Sequence, residues 1–170
     1  MMLPNGAVVL DDSYNGSIDS FERSIEVLYQ ARAQRRILVI SDCSDFRKKP
    51  RERLQYYARV ASQATEMVVF VGDRSTYGIE YAQRSGMPAA NARAFFTWQA
   101  AADFLRNELR PGDLVLVRGR GTDHLERIGH ALIGTVACQK SYCSLMLPCQ
   151  GCPQVGFQPD SELVMLDTRG

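Results

Sequence analysis

The sequence predicts an α/β protein with a doubly wound, mostly parallel sheet of about five or six strands, and three observations carry that prediction. Short apolar runs of four or five residues alternate with longer stretches whose apolar residues recur at helical spacing. The alternation repeats as five β-then-α units in a row, an order that right-handed crossovers turn into a parallel sheet covered by helices. Each strand leads into a turn, and in such folds ligands bind beyond the carboxyl ends of the strands.

The first strand is Ala7-Val8-Val9-Leu10, followed by the polar turn Asp11-Asp12-Ser13-Tyr14-Asn15-Gly16-Ser17. Phe21, Ile25, Leu28 and Tyr29 then mark a helix, with Asp19 or Ser20 available to cap it. Ile37-Leu38-Val39-Ile40 is the second strand. Pro50 opens the next helix, where its missing N–H costs nothing, and Leu54, Tyr57, Val60 and Ala61 form the inner face. Met67-Val68-Val69-Phe70-Val71 is the third strand, and a helix over residues 77–84 stops at Gly86-Met87-Pro88. Residues 92–96 read as a fourth strand and 98–109 as a helix with Ala101, Ala102 and Leu105 inward. Leu114-Val115-Leu116-Val117 is the fifth strand and residues 125–133 the fifth helix. The pattern ends near Gly134, which divides the chain into a doubly wound domain, residues 1–134, and a cysteine-rich extension, 135–170. Within the extension, Leu163-Val164-Met165-Leu166 offers one more edge strand.

The composition fits this reading. A chain of 170 residues, 45% hydrophobic and 23% charged, is long enough to bury roughly 70% of its unfolded surface without disulfides. Twenty Lys and Arg against nineteen Asp and Glu leave a net charge of +1, so no global field draws nucleic acid or an anionic membrane. The longest apolar runs fall far short of the ~20 residues that span a bilayer, and the amino terminus has no export signal. A cytoplasmic, reducing location is expected, where five cysteines serve as thiols or metal ligands rather than disulfides.

No phosphate-binding loop occurs: neither Gly-x-x-x-x-Gly-Lys-Ser/Thr nor a Gly-x-Gly-x-x-Gly after the first strand is present. Gly119-Arg120-Gly121 follows the fifth strand but lacks a third glycine, and reads as well as a plain tight turn. The stretch from Asp11 to Ser20 is richer. Carboxylates, hydroxyls, a phenol and an amide are packed between a buried strand and a helix N-terminus, where backbone N–H groups favour anions. Asp11 and Asp19 read alternatively as turn former and cap.

This run, Asp11-Asp12-Ser13-Tyr14-Asn15-Gly16-Ser17-Ile18-Asp19-Ser20, resembles the Asp-Asp-Ser-Tyr-Asn-Ala-Asn-Pro-Asp-Ser signature that opens the C-terminal, Rossmann-like domain of Mur ligases. The type that adds D-alanyl-D-alanine, MurF, is the most similar. Arg36-Ile37-Leu38-Val39-Ile40-Ser41-Asp42 is similar to the family's second strand with its Gly-Asp-Met ending. Pro111-Gly112-Asp113-Leu114-Val115-Leu116-Val117-Arg118-Gly119-Arg120, then Leu125-Glu126-Arg127, is similar to its Gly-Asp-x-Val-Leu-Val-Lys-Gly-Ser…Leu-Glu-Arg segment.

The resemblance implies the C-terminal third of an ATP-dependent amide ligase of cell-wall precursor synthesis, inactive alone. Its partners would be a central ATPase domain and a UDP-sugar-binding domain, in the same or another chain. ATP with Mg²⁺ would activate a carboxylate, and a small amino acid or dipeptide would attack it. The resemblance places Asp12, Tyr14 and Asn15 at the nucleotide. It places Arg118, Gly119 and Arg120 in the loop near the incoming carboxylate, where an Arg fork suits the ligand. The sequence departs from the family at Ser17-Ile18, Ser41 and Cys43, and at the basic loop Arg47-Lys48-Lys49, which bears on the identity of the incoming group.

The extension carries a second signal. Cys138-x4-Cys143-x5-Cys149-x2-Cys152 puts four thiols within fifteen residues, a donor set for structural Zn²⁺ or an iron–sulfur cluster. Buried free thiols and a Cys149/Cys152 redox pair are the alternatives. Correspondingly, a noncatalytic module with a metal-held contact surface, or a metal–thiol redox protein, stands beside the ligase reading. His124 and His130, six apart, read as a surface loop residue and a helix residue, and Phe95, Phe96 and Trp98 as core.

Overall fold

The computed structural model describes residues 1–14, 16–43, 46–145 and 147–160. Its central sheet has five parallel strands in the order β1-β5-β2-β3-β4: β1 (Val8–Asp12), β2 (Arg35–Ile40), β3 (Met67–Val71), β4 (Ala92–Phe95) and β5 (Asp113–Arg118). Helices α1 (Ile18–Gln30), α2 (Pro50–Ala64), α3 (Ser75–Arg84), α4 (Trp98–Glu108) and α5 (Glu126–Leu132) follow them in turn. The doubly wound expectation holds, with the five predicted strands and five predicted helices of residues 1–134 at their places.

Side chains alternate across the strands, and both faces are covered. Leu38, Ile40, Val68, Phe70, Leu114 and Leu116 pack toward α1, α2 and α3. Ile37, Val39, Val69, Val71, Val115 and Val117 pack toward α4 and α5. Because neither face meets water, the strands read as unbroken apolar runs. Each helix buries one stripe: α1 buries Phe21, Ile25 and Leu28, spaced four and three residues apart.

Helix starts follow local chemistry. Ser17, not Asp19 or Ser20, caps α1, its Oγ accepting from the Ser20 N–H at 3.1 Å, worth about 1 kcal/mol. Thr97 does the same for α4 through Ala100 N–H. At α2, Pro50 fills the first helical position and the Glu52 carboxylate accepts the Lys49 N–H at 3.1 Å.

Beyond α5 the chain forms a small antiparallel ribbon of β6 (Gly134–Val136) and β7 (Phe157–Pro159), which the sequence did not announce. The segment between them, carrying the four late cysteines, folds back over the carboxyl edge of the sheet. There the Trp98 indole N–H donates to the Lys140 carbonyl at 3.1 Å, and Cys143 N–H donates to that of Thr122. The expected edge strand at 163–166 lies outside the described residues.

Candidate functional site

Ligand crevices open where neighbouring strands send their chains to opposite faces of the sheet. After β1, β2 and β3 the chain turns to one face, and after β4 and β5 to the other. Two cavities sit at these places. The larger, about 350 Å³, lies beyond β2, β3, β4 and β5, and the smaller, about 220 Å³, beyond β1 and β5.

The larger cavity is lined by Asp42, Asp73 and Asp123 and by Arg53, Arg74 and Arg120, three charges of each sign. Two pairs are fixed. Arg53 holds Asp42 with two hydrogen bonds, 2.8 and 2.5 Å, and the Tyr57 hydroxyl donates to the same carboxylate at 3.0 Å. Arg120 holds Asp123 at 3.1 and 3.0 Å, and Ser41 Oγ donates to Asp123 at 2.6 Å. Burial works against the Arg120 charge, but the bond to Asp123 outweighs it and raises the guanidinium above its ordinary value. Burial first, and then the Cys43 and Asp42 neighbours, push the Tyr57 phenol far above its ordinary value. Ser75, at the first turn of α3, is 3% exposed, and its Oγ has no partner among the described residues. Phe96 is 62% exposed at the rim, where the sequence placed it in the core, whereas Trp98 is buried as expected.

The smaller cavity is lined by Asp11, Asp12, Ser13, Tyr14, Glu126 and His130, with Pro148 and Gln150 of the extension as its outer wall. Asp11 is the turn former: its Oδ1 accepts both Ser13 N–H, at 3.0 Å, and Ser13 Oγ, at 2.6 Å. Glu126 bridges this loop to the extension, with Ser13 Oγ 3.4 Å from one oxygen and Cys149 N–H donating to the other at 3.1 Å. Burial alone would raise the Glu126 carboxyl, but the bonds from His124 and Cys149 hold it below its ordinary value.

The expected site residues part company here. Arg120 lines the larger cavity. Arg118 does not: it is 0% exposed and lies under the first loop, donating to the Asp12 carboxylate, to Ser17 O at 3.1 Å and to Ser20 Oγ at 2.9 Å. Gly119 serves close packing, since a Cβ there would stand 2.7 Å from Ser41 Oγ. Asp12 and the exposed Tyr14 border the smaller cavity, and Asn15 lies outside the described residues.

Cys138, Cys143, Cys149 and Cys152 are free thiols that share a third, narrow cavity with His124 and Arg127. Their four sulfurs are not gathered into one tetrahedron. The set of three or more ligand atoms found within 4.8 Å of one another among the described residues is His124, Glu126 and Cys149, all buried. His124, expected on the surface, is 1% exposed, and its backbone takes the left-handed conformation, φ 48°. Burial, then the Glu126 charge, pushes the Cys149 thiol up to about 12.

A doubly wound domain with two cavities at the carboxyl edge of its sheet is the class that fold and cavities define. A family model described as "Mur ligase, glutamate ligase domain" matches residues 2–121. The chain therefore belongs to the Mur ligase family, as a C-terminal domain of that kind. Among solved structures it is similar to MurF from Acinetobacter baumannii, with 21% identity and a TM-score of 0.66 over 77% of this chain and 29% of that one. MurF from Thermotoga maritima in complex with ADP gives 18% identity and 0.58 over 75% of this chain and 28% of that one. A domain of a ligase described as a putative UDP-N-acetylmuramate:L-alanyl-gamma-D-glutamyl-medo-diaminopimelate ligase, from Haemophilus ducreyi, gives 17% and 0.54 over 78% of this chain and 92% of that domain. The chain thus spans under a third of the MurF chains it matches. No curated protein sequence matches it significantly. Among the described residues, no helix is long and apolar enough to cross a membrane.

Proposed function

We propose that the chain is the substrate-closing domain of an ATP-dependent amide ligase of peptidoglycan precursor synthesis, and that its two crevices divide the work. Ligases of this family use ATP and Mg²⁺. The smaller cavity offers three carboxylates and no Lys or Arg, a lining that accepts hydrogen bonds from ribose hydroxyls and repels phosphates. Asp12 and Tyr14 therefore face the nucleoside end, with Asn15 in the same loop. The phosphates and Mg²⁺ belong to the central ATPase domain, and the activated carboxylate to the UDP-sugar-binding side.

The observation that carries this reading is the balanced lining of the larger cavity. Three guanidinia and three carboxylates suit a zwitterion, such as a small amino acid or dipeptide. Its carboxylate would take the fork of Arg120, and Asp42 and Asp123 would hold its ammonium until the amine is presented to the acyl phosphate. The redox alternative draws no support from Cys149, whose thiol at about 12 is a poor nucleophile. Titrating the ¹⁵N-labelled chain with single amino acids, dipeptides and a nonhydrolysable ATP analogue tests the reading. Amino compounds should shift amides of residues 41–42, 72–75 and 120–123, and the analogue those of 11–14. Amino-compound shifts that avoid the larger cavity, or none at millimolar concentrations, would overturn the assignment.

A further inference from the structure

Four of the six charges around the larger cavity already answer one another, Arg53 with Asp42 and Arg120 with Asp123. The groups left over gather at the turn from β3 into α3, where Gly72, Asp73, Arg74 and Ser75 all line the cavity. Gly72 takes φ 116°, and a Cβ on it would meet nothing within 4 Å. Its conformation rather than crowding selects glycine, and the backbone stays open to an approaching group. Helix α3 has ten residues, no side chain caps it, and no acidic residue stands in its first turn. The N–H groups of that turn carry the positive end of the helix dipole and suit an oxyanion.

Ser75 supplies the independent observation. It opens α3, is 3% exposed and lines the cavity, yet its Oγ has no partner among the described residues. Ser62 and Thr65 in and after α2 bond back to carbonyls four residues earlier, at 2.7 and 2.9 Å. Ser75 begins its helix, so no helical carbonyl stands behind it, and rotation about one bond turns its hydroxyl to the cavity. A buried hydroxyl left unpaired is costly, and a bound partner that accepts its proton removes the cost. The local charge favours an anion as that partner. Arg74 is exposed and forms no ion pair among the described residues, and Arg51 of α2 lies over the Tyr77 ring of α3 at 4.6 Å. Against these two guanidinia the turn sets one carboxylate, the exposed Asp73.

We infer that the start of α3 is an oxyanion subsite of its own, separate from the Arg120 fork, and that it takes a carboxylate of an acidic amino compound. The inference rests on the amide-ligase reading, under which the larger cavity holds the incoming amine. Ser75 Oγ, the first-turn amides and Arg74 receive one carboxylate, and Arg120, from the loop after β5, receives the other. Two such subsites in one cavity narrow the zwitterion to a compound with two carboxylates and one ammonium. A neutral group in place of the second carboxylate leaves the Ser75 hydroxyl and the helix end without their charged acceptor.

The test is titration of the ¹⁵N-labelled full chain with glutamate in both D and L forms, with its isosteric amide glutamine, and with inorganic phosphate. Glutamate of one hand should bind about tenfold more tightly than glutamine. Both should move the amides of residues 120–123, and glutamate alone those of 73–76. Ser75→Ala should bring glutamate down to the affinity of glutamine and leave the glutamine curves as they are. Because it removes an unpaired hydroxyl, its thermal midpoint should lie at or above wild type. Should it misfold, Arg74→Gln, on the surface, should reduce the same preference. Equal affinities for glutamate and glutamine, with shifts at 120–123 only, would overturn the subsite while the amide-ligase reading stands. No shift from any amino compound would overturn both. A response at 73–76 to phosphate but not to glutamate would also overturn the inference, giving the turn to a free anion.

Discussion

Asp12 and Arg118 are register partners at the ends of β1 and β5, and they also form an ion pair there. The backbone ladder thereby aligns the two charges, and the buried guanidinium spans from the strand end to the carbonyl of Ser17, the α1 cap. Removing Asp12 leaves that guanidinium without an anionic partner among the described residues. Asp12→Ala and Arg118→Ala should each cost about 3–5 kcal/mol in urea unfolding. Arg118→Lys should recover little, since an ammonium cannot reach Asp12, Ser17 and Ser20 together. A loss below about 1 kcal/mol would mean the pair behaves as an exposed one.

Arg120 makes the opposite prediction. Its side chain is partly exposed and, among the described residues, bonds to Asp123 of its own loop. Arg120→Ala should therefore leave stability within about 0.5 kcal/mol of wild type. It should abolish the amide shifts that an amino acid or dipeptide causes at residues 120–123. Unaltered titration curves would remove Arg120 from ligand binding.

Gly78 lies inside α3, where alanine would ordinarily gain about 1 kcal/mol. A Cβ there would stand 2.5 Å from the Phe70 ring of β3. Gly78→Ala should instead destabilise by about 1–3 kcal/mol in chemical denaturation, and pairing it with Phe70→Leu should return part of that. A stabilised single variant would refute the close approach of α3 to the sheet.

Tyr57 sets the alkaline limit. Its phenol is raised in the folded chain above the unfolded value of about 10. The contribution is complete below pH about 10 and is lost as pH rises toward the folded value. Circular dichroism against pH should show stability falling above pH about 10, and a shallower fall in Tyr57→Phe. Free titration of every tyrosine near pH 10 with the fold intact would contradict this.

The sheet was readable because strands buried on both faces leave continuous apolar runs, and because caps and turns punctuate them. The cavities were readable only as loops. Which loop residue turns outward depended on register: Arg118 ends a buried strand and is claimed by Asp12, whereas Arg120, two residues on, has left the sheet. His124 was misplaced for a different reason. Besides the neighbouring Glu126, its ring is covered by the segment around Leu145 and Cys149, which returns from more than twenty residues away. The β6–β7 ribbon left no signature because strands of three residues are too short to show a period. Ser75 and Asp42 became visible as cavity residues only once α2 and α3 were in place.

The strand order also constrains how the molecule can be made. β5 is the last strand of the sheet to leave the ribosome, yet it lies between β1 and β2. Until residue 118 has been synthesised, the first strand has no partner strand, only the short antiparallel bridge from Met2 to Val8, and the growing chain holds only the half-sheet β2-β3-β4. Closure is therefore a late, long-range event with a large loop-entropy cost, and a nascent chain stalled before that point would expose two bare strand edges to aggregation.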